Sequence, residues 1–236
     1  MSRAFEQIAH RSTPIGDISL RRRLEPTLQI DVYEVKLGDE YLMTSLFTAG
    51  EEALAHLGLG AMSGDHLDVL VGGLGLGHTA HAALSDPRVA TLHVVDALAE
   101  VIRWHDEHLV PLGAELAADP RCHLVHGDFF AMMADEVRLP DGRTHYDVIL
   151  VDIDHTPSHH LDAGHADFYQ PIGLARVRDR LRAGGVFALW SDDPPDHEFL
   201  DVLRGVFPTT EAEVVTFPNI HTGGDAAVTV YVCPMT

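Results

Sequence analysis

Residues 68–77 read Asp-Val-Leu-Val-Gly-Gly-Leu-Gly-Leu-Gly (DVLVGGLGLG), an apolar run that passes into alternating glycines. The run has the length and composition of a buried strand, and HTAHAAL after it reads as a helix. A glycine turn between strand and helix lets backbone approach a ligand at the carboxyl end of the first strand of a doubly wound sheet. A dinucleotide fingerprint places its third glycine three positions after the second. Here that position is His78, and Gly73, Gly75 and Gly77 are spaced G-x-G-x-G. This spacing favours an S-adenosylmethionine-type turn over a nucleotide loop or a purely structural turn.

Downstream of this stretch, apolar runs alternate with helical stretches. TLHVVD is followed by ALAEVIRWHDEHL, CHLVHGD by FFAMMADEV, YDVILVD by FYQPIGLARVRDRL, and VFALW by HEFLDVLRGVF. With the opening pair these are five strand-and-helix repeats, the pattern of a parallel sheet covered on both faces. AEVVTF and AAVTVYV then follow with no helix between them, which predicts a closing antiparallel pair and a doubly wound, mostly parallel seven-stranded α/β sheet. Upstream, ISLRRRL, DVYEVKL and EYLMTS read as short strands, with Gly38 and Asp39 as a hairpin turn. LFTAGEEALAHLGLGAM has helical spacing and bridges to the main unit. The expected organisation is a small N-terminal β appendage over 1–45 and a Rossmann-like catalytic domain over 46–236.

The strand ends carry the chemistry. Asp96 lies 96 − 75 = 21 residues after Gly75, where doubly wound folds place an acid that accepts from ribose hydroxyls; it also suits the cap of the helix that follows. Asp128 and Phe129 end the third strand, an acid able to accept from an adenine amino group beside a ring able to stack on the base. The fourth strand ends in Asp152, Asp154 and His155, with His159 and His160 beyond, which crowds carboxylates and imidazoles where such enzymes act. In a chain with 17 histidines, a solvated His-rich loop is the bland alternative. Asp192 and Asp193 follow the fifth strand and suit either substrate binding or capping of the next helix.

Composition narrows the partners. The chain has 236 residues, enough for one sizeable core, and 16 basic against 36 acidic residues give a net charge of −20. That field opposes nucleic acid and anionic membranes and suits a neutral or cationic small molecule. Cys122 and Cys233 are the only cysteines, so neither a disulfide framework nor a structural zinc site is expected, and a reducing cytoplasmic interior is the default. MSRAFEQIAH lacks a secretory pattern, and no apolar stretch is long enough to span a bilayer.

With these residues in place the chain resembles the spermidine synthase family, the polyamine aminopropyltransferases with the class I methyltransferase fold. VGGLGLG matches the family's glycine turn (Gly72, Gly73, Gly75, Gly77), HVVDAL the ribose acid (Asp96, Ala97), and VHGDFF the adenine site (Gly127, Asp128, Phe129). YDVILVDIDHTP matches the catalytic strand, and FPNIHTGGDAAVTVYV the closing hairpin. Three departures stand out. Where the family reads Gly-Gly-Gly-Asp-Gly-Gly, its acid is Gly75 here, and where it carries a second catalytic-strand acid, this chain has His155. The bridging segment offers Glu51 and Glu52 in place of the family's Tyr-His/Gln-Glu cluster.

A carboxylate at position 75 would repel the carboxylate of intact S-adenosylmethionine. Its absence leads to the expectation of methyl transfer from S-adenosylmethionine to a small-molecule nucleophile. Asp152 would orient the acceptor, and Asp154 or His155 would take its proton. Glu52, Tyr169, Asp192 and Asp193 are the expected acceptor contacts, no residue is assigned to a metal, and a homodimer is the expected assembly. The alternatives are aminopropyl transfer from decarboxylated S-adenosylmethionine to a diamine, a magnesium-dependent O-methyltransferase, and a nucleoside-binding scaffold without turnover.

Overall fold

The computed structural model describes residues 5–13, 16–135 and 137–235; the first four residues of the N-terminal stretch read above lie outside that range. The chain opens with a four-stranded antiparallel sheet, β1 (Phe5–Thr13), β2 (Gly16–Glu25), β3 (Ile30–Leu37) and β4 (Glu40–Thr44), in that order. β1 was not expected, because FEQIAHRST is polar at most positions; it forms by pairing along the full length of β2. Ile18, Leu20, Val32 and Val35 are buried. From β2, Arg23 bridges to Glu34 on β3 at 2.6 Å and to Glu25 on its own strand at 2.9 Å. The β3–β4 turn uses Gly38 at φ 57°, a conformation that suits glycine.

Helix α1 (Ala49–Gly60) joins this sheet to the second one. It lies close to the strands because a Cβ on Gly58 would stand 2.6 Å from Leu150 Cδ2. The second sheet has β5 (Leu67–Gly72), β6 (Val89–Asp96), β7 (Cys122–His126), β8 (Tyr146–Val151), β9 (Leu181–Ser191), β10 (Glu211–Asn219) and β11 (Gly224–Pro234). Their order is β10-β11-β9-β8-β5-β6-β7. β11 runs antiparallel to both neighbours and the other pairings are parallel. The seven strands and the closing antiparallel pair are as the sequence predicts. The connections carry α2 (His78–Leu84), α3 (Ala99–Asp106), α4 (Gly113–Ala118), α5 (Phe129–Met133), α6 (Pro171–Arg178) and α7 (His197–Val206), with a 3-10 helix at Ala163–Tyr169.

The apolar strands are continuous because both faces are covered. Alternate side chains divide between two cores: Val69, Val71, Val148 and Leu150 pack with α1 residues Leu54 and Leu59. Leu70, Ile149 and Val151 pack with Phe187, Leu174 and Leu203 on the other face. At the amino ends of the central strands, Arg182 bridges Asp68 (2.7 Å) and Asp147 (2.6 Å). The Asp147 carboxylate also accepts from the Asp68 N–H at 2.8 Å. At the opposite end the chain runs outward from β5 through β6 to β7 and returns to β8, so the topological switch point lies between β5 and β8. That is where a doubly wound sheet opens a crevice.

Candidate active site

Two adjoining cavities open at this crevice, of about 530 Å³ and 330 Å³. Both are bordered by Leu42, Met43, Gly75, Asp152, Ile153 and Leu161, which form the wall between them. The glycine turn folds as its sequence requires: Gly73, Gly75 and Gly77 all have positive φ (93°, 49° and 91°). A side chain on Gly73 would collide with the Asp152 backbone oxygen, so the turn and the end of β8 lie in direct contact.

The larger cavity is bordered by Gly73, Gly75, Asp96, Ala97, Asp128, Phe129 and Phe130. Asp96 accepts from the Leu74 N–H (3.0 Å) and the Leu98 N–H (2.8 Å), tying the glycine turn to the segment leading into α3. Burial pushes its carboxyl up, against the downward pull of these backbone bonds. Asp128 caps α5, its Oδ1 accepting from the Ala131 N–H at 3.0 Å. Phe129 is buried against Gly72, where a Cβ would stand 2.7 Å from its ring. The next residue, Phe130, is half-buried, borders the same cavity and stacks on His165 with centroids 3.9 Å apart. Gly72 and Gly127 shape the backbone without bordering either cavity.

The smaller cavity gathers acids. Glu51, Asp152 and Asp192 border it, with His78, His155, Trp190, Phe47 and Phe217. Burial pushes the Asp152 carboxyl up to about 6, even though it accepts a hydrogen bond from the Thr79 hydroxyl at 2.8 Å. Burial, followed by the Asp152 and neighbouring acidic charges, pushes Glu51 up to about 8. Among the described residues neither acid has a cationic side chain as a salt-bridge partner. His155 instead turns toward Glu40 on β4, 3.1 Å from Nε2 to Oε1, and lies beside His159.

One expected proton acceptor, Asp154, and three expected acceptor contacts, Tyr169, Glu52 and Asp193, fall outside both cavities. Asp154 is buried, and its carboxylate accepts from the Leu161 N–H (2.7 Å), the Tyr169 hydroxyl (2.8 Å) and His165 Nδ1 (2.9 Å). Its lone pairs are engaged and it borders neither cavity, so the geometry does not support a proton-accepting role for it. Tyr169 is spent on the same carboxylate and is stacked by His160. Glu52 accepts from the Thr48 hydroxyl at 2.8 Å on an exposed face. Asp193 borders neither cavity, and its backbone oxygen accepts from Thr229. Glu51 could have been found from helix phase: it precedes buried Leu54, Ala55 and Gly58 by three, four and seven residues. Phe130, His165 and Met43 left no such signal. Among the described residues no group of three or more His, Cys, Asp or Glu side chains is placed to hold a metal ion, and no helix is long and apolar enough to cross a membrane.

Comparison with solved structures places this architecture. The spermidine synthase from Thermotoga maritima superposes with a TM-score of 0.74 over 98% of this chain and 73% of its own, at 19% identity. The chain has a spermidine-synthase-like fold. A spermidine synthase bound to the transition-state analogue AdoDATO superposes equally well, at a TM-score of 0.74 and 21% identity, covering 98% of this chain and 74% of that one. In sequence, polyamine aminopropyltransferase 2 of Pseudomonas aeruginosa is 31% identical over 159 residues, 64% of this chain and 43% of that relative. The matched region thus spans less than half the length of this curated relative. No family profile matches the chain.

These likenesses overturn the expectation of methyl transfer, because the sequence relative is an aminopropyltransferase and the structural neighbours are spermidine synthases. The physical reason lies at position 75. The missing acid was read as favouring a donor that keeps its own carboxylate, yet Glu51, Asp152 and Asp192 surround the adjoining cavity with carboxylates supplied from other elements.

Proposed function

We propose that this protein transfers an aminopropyl group from decarboxylated S-adenosylmethionine to a small diamine. The observation that carries the reading is the pair of cavities sharing a wall at Gly75 and Asp152, with Glu51, Asp152 and Asp192 concentrated on the smaller one. A half-buried acid pair pushed up to about 8 and about 6 is relieved by a cationic ligand, since an opposite charge within a few ångströms favours the ionised form. The donor's adenosyl part takes the larger cavity, against Asp96, Ala97, Asp128 and Phe130, and its propyl chain reaches the shared wall. The assignments of Gly73, Gly75, Asp96 and Asp128 to the donor, and the division into a 1–45 appendage and a 46–236 catalytic unit, are part of this proposal.

In the reaction the neutral amine nitrogen of the acceptor attacks the propyl carbon bonded to sulfur. The C–N bond forms, the C–S bond breaks, and its electron pair goes to sulfur, releasing 5′-methylthioadenosine. The extra proton on the attacking nitrogen goes to Asp152, whose carboxyl near 6 is matched to proton transfer close to neutrality. Glu51 and Asp192 hold the other, cationic end of the acceptor. Incubation with decarboxylated S-adenosylmethionine and a series of short straight-chain diamines, followed by mass spectrometry of product amine and methylthioadenosine, tests the assignment. Donor left intact with every diamine would overturn it.

A further inference from the structure

Asp154 sits at the family-like catalytic strand end, yet its fully buried carboxylate is turned away from both cavities and onto His165. Both carboxylate oxygens lie within 3.0 Å of His165 Nδ1. This contact places the proton on Nδ1, because a carboxylate accepts and does not donate. With the Nδ1–H tautomer, Nε2 is the ring's acceptor atom, on the edge away from Asp154 and without a partner among the described residues. The ring is held flat by its stack on Phe130 and borders the larger cavity together with Asp128. Asp128 commits Oδ1 to the α5 cap, and among the described residues its Oδ2 has no partner, so a second acceptor faces the same space.

Two acceptors bordering one cavity match an exocyclic amino group, which carries two hydrogens. We infer that His165 is a specificity-determining residue that, with Asp128, reads the amino edge of the donor's purine, and that Asp154 acts as a positioning residue by fixing the His165 tautomer. This rests on the larger cavity being the donor nucleoside site. A purine with a carbonyl at that position would set oxygen against two acceptors and be rejected, the asymmetry that makes unpaired polar groups effective discriminators. A stacking prop for Phe130 is the plainer role for the imidazole, and base choice separates the two.

The test is calorimetric titration of 5′-methylthioadenosine and 5′-methylthioinosine into the parent and into His165→Phe and His165→Gln. Phe keeps a ring on Phe130; Gln keeps polarity but can donate as well as accept. The parent should prefer the adenine compound by about tenfold or more, and both variants should reduce that ratio by about fivefold, the scale of one hydrogen bond. In the parent, the imidazole 15N resonances of His165 should show an unprotonated Nε2 that moves with the adenine compound. This readout stands even if a variant fails to fold. An unchanged base ratio in the variants, or an Nε2 insensitive to the adenine compound, would overturn the inference while leaving the aminopropyl reading intact. A parent that binds neither nucleoside would overturn both.

Discussion

Met43 lays its sulfur against Gly75, so that a Cβ at position 75 would stand 2.5 Å from Sδ and 2.7 Å from Cε. A thioether from the N-terminal sheet thus fills the space in which the resembled family carries an acid, and it does so on the wall between the two cavities. Introducing that acid is therefore a packing problem before it is an electrostatic one. Gly75→Asp must displace Met43 and hold φ near 49°, and it should destabilise the fold by about 1–3 kcal/mol. Met43→Ala should recover part of that loss, giving a coupling of about 0.5–3 kcal/mol in a double-mutant cycle read by denaturant unfolding. Additive single effects would place the two side chains out of contact.

Asp152→Asn keeps the shape of the side chain and removes its charge. Release of methylthioadenosine should fall by about 10²-fold or more, while the affinity for methylthioadenosine, which needs no base, changes little. Thr79→Val removes the hydroxyl that holds the Asp152 carboxyl down. The rising limb of the pH–rate profile near 6 should then move to higher pH, and a limb that stays in place would exclude Asp152 as the titrating base.

Burial and neighbouring acidic charges hold the folded-state Glu51 carboxyl at about 8, against about 4.3 in the unfolded chain. Between these values the folded state holds a proton that the unfolded state has lost, so stability from this group falls as pH rises from about 5 to about 8. Glu51→Gln abolishes that slope: relative to the parent, the variant should gain stability with increasing pH across this window in thermal melts taken without ligand. Diamine binding to the parent at pH 7 should release up to about one proton, measurable by calorimetry in buffers of different ionisation enthalpy. The variant should release fewer protons and bind more weakly.

Asp96 serves the fold and the proposed ribose contact together. Asp96→Ala strands the Leu74 and Leu98 N–H groups, which should cost about 1–3 kcal/mol of stability and weaken methylthioadenosine binding about tenfold or more. A loss of stability with unchanged affinity would leave Asp96 as a brace of the glycine turn alone.

Much of the architecture was legible because it rests on local pattern. The alternation of apolar runs and helical stretches from Leu67 onward, and the positive-φ glycines at the first turn, mark the sheet and its crevice wherever they occur. β1 was not legible, because its residues are polar and its order comes from pairing with β2 rather than from its own propensity. Site residues divide in the same way. Asp96, Asp128 and Asp152 stand at strand ends, where topology alone delivers them to the crevice. Asp154 stands two residues beyond Asp152, and alternation there suggested a shared face. The chain leaves the strand at Val151, however, and the loop turns the second carboxylate inward. Met43 and Glu51 reach the site from other elements, one across a sheet boundary and one by helix phase, and their roles depend on tertiary placement.

The Arg182 bridge to Asp68 and Asp147 lies at the amino ends of β5, β8 and β9, roughly 16 Å of strand away from the crevice. Sequence drift at this clamp would be felt as cellular half-life: variants would be cleared faster by proteolysis while each surviving molecule kept the turnover and base preference of the parent. Selection can therefore adjust the abundance of this protein and the chemistry at its crevice through separate sets of residues.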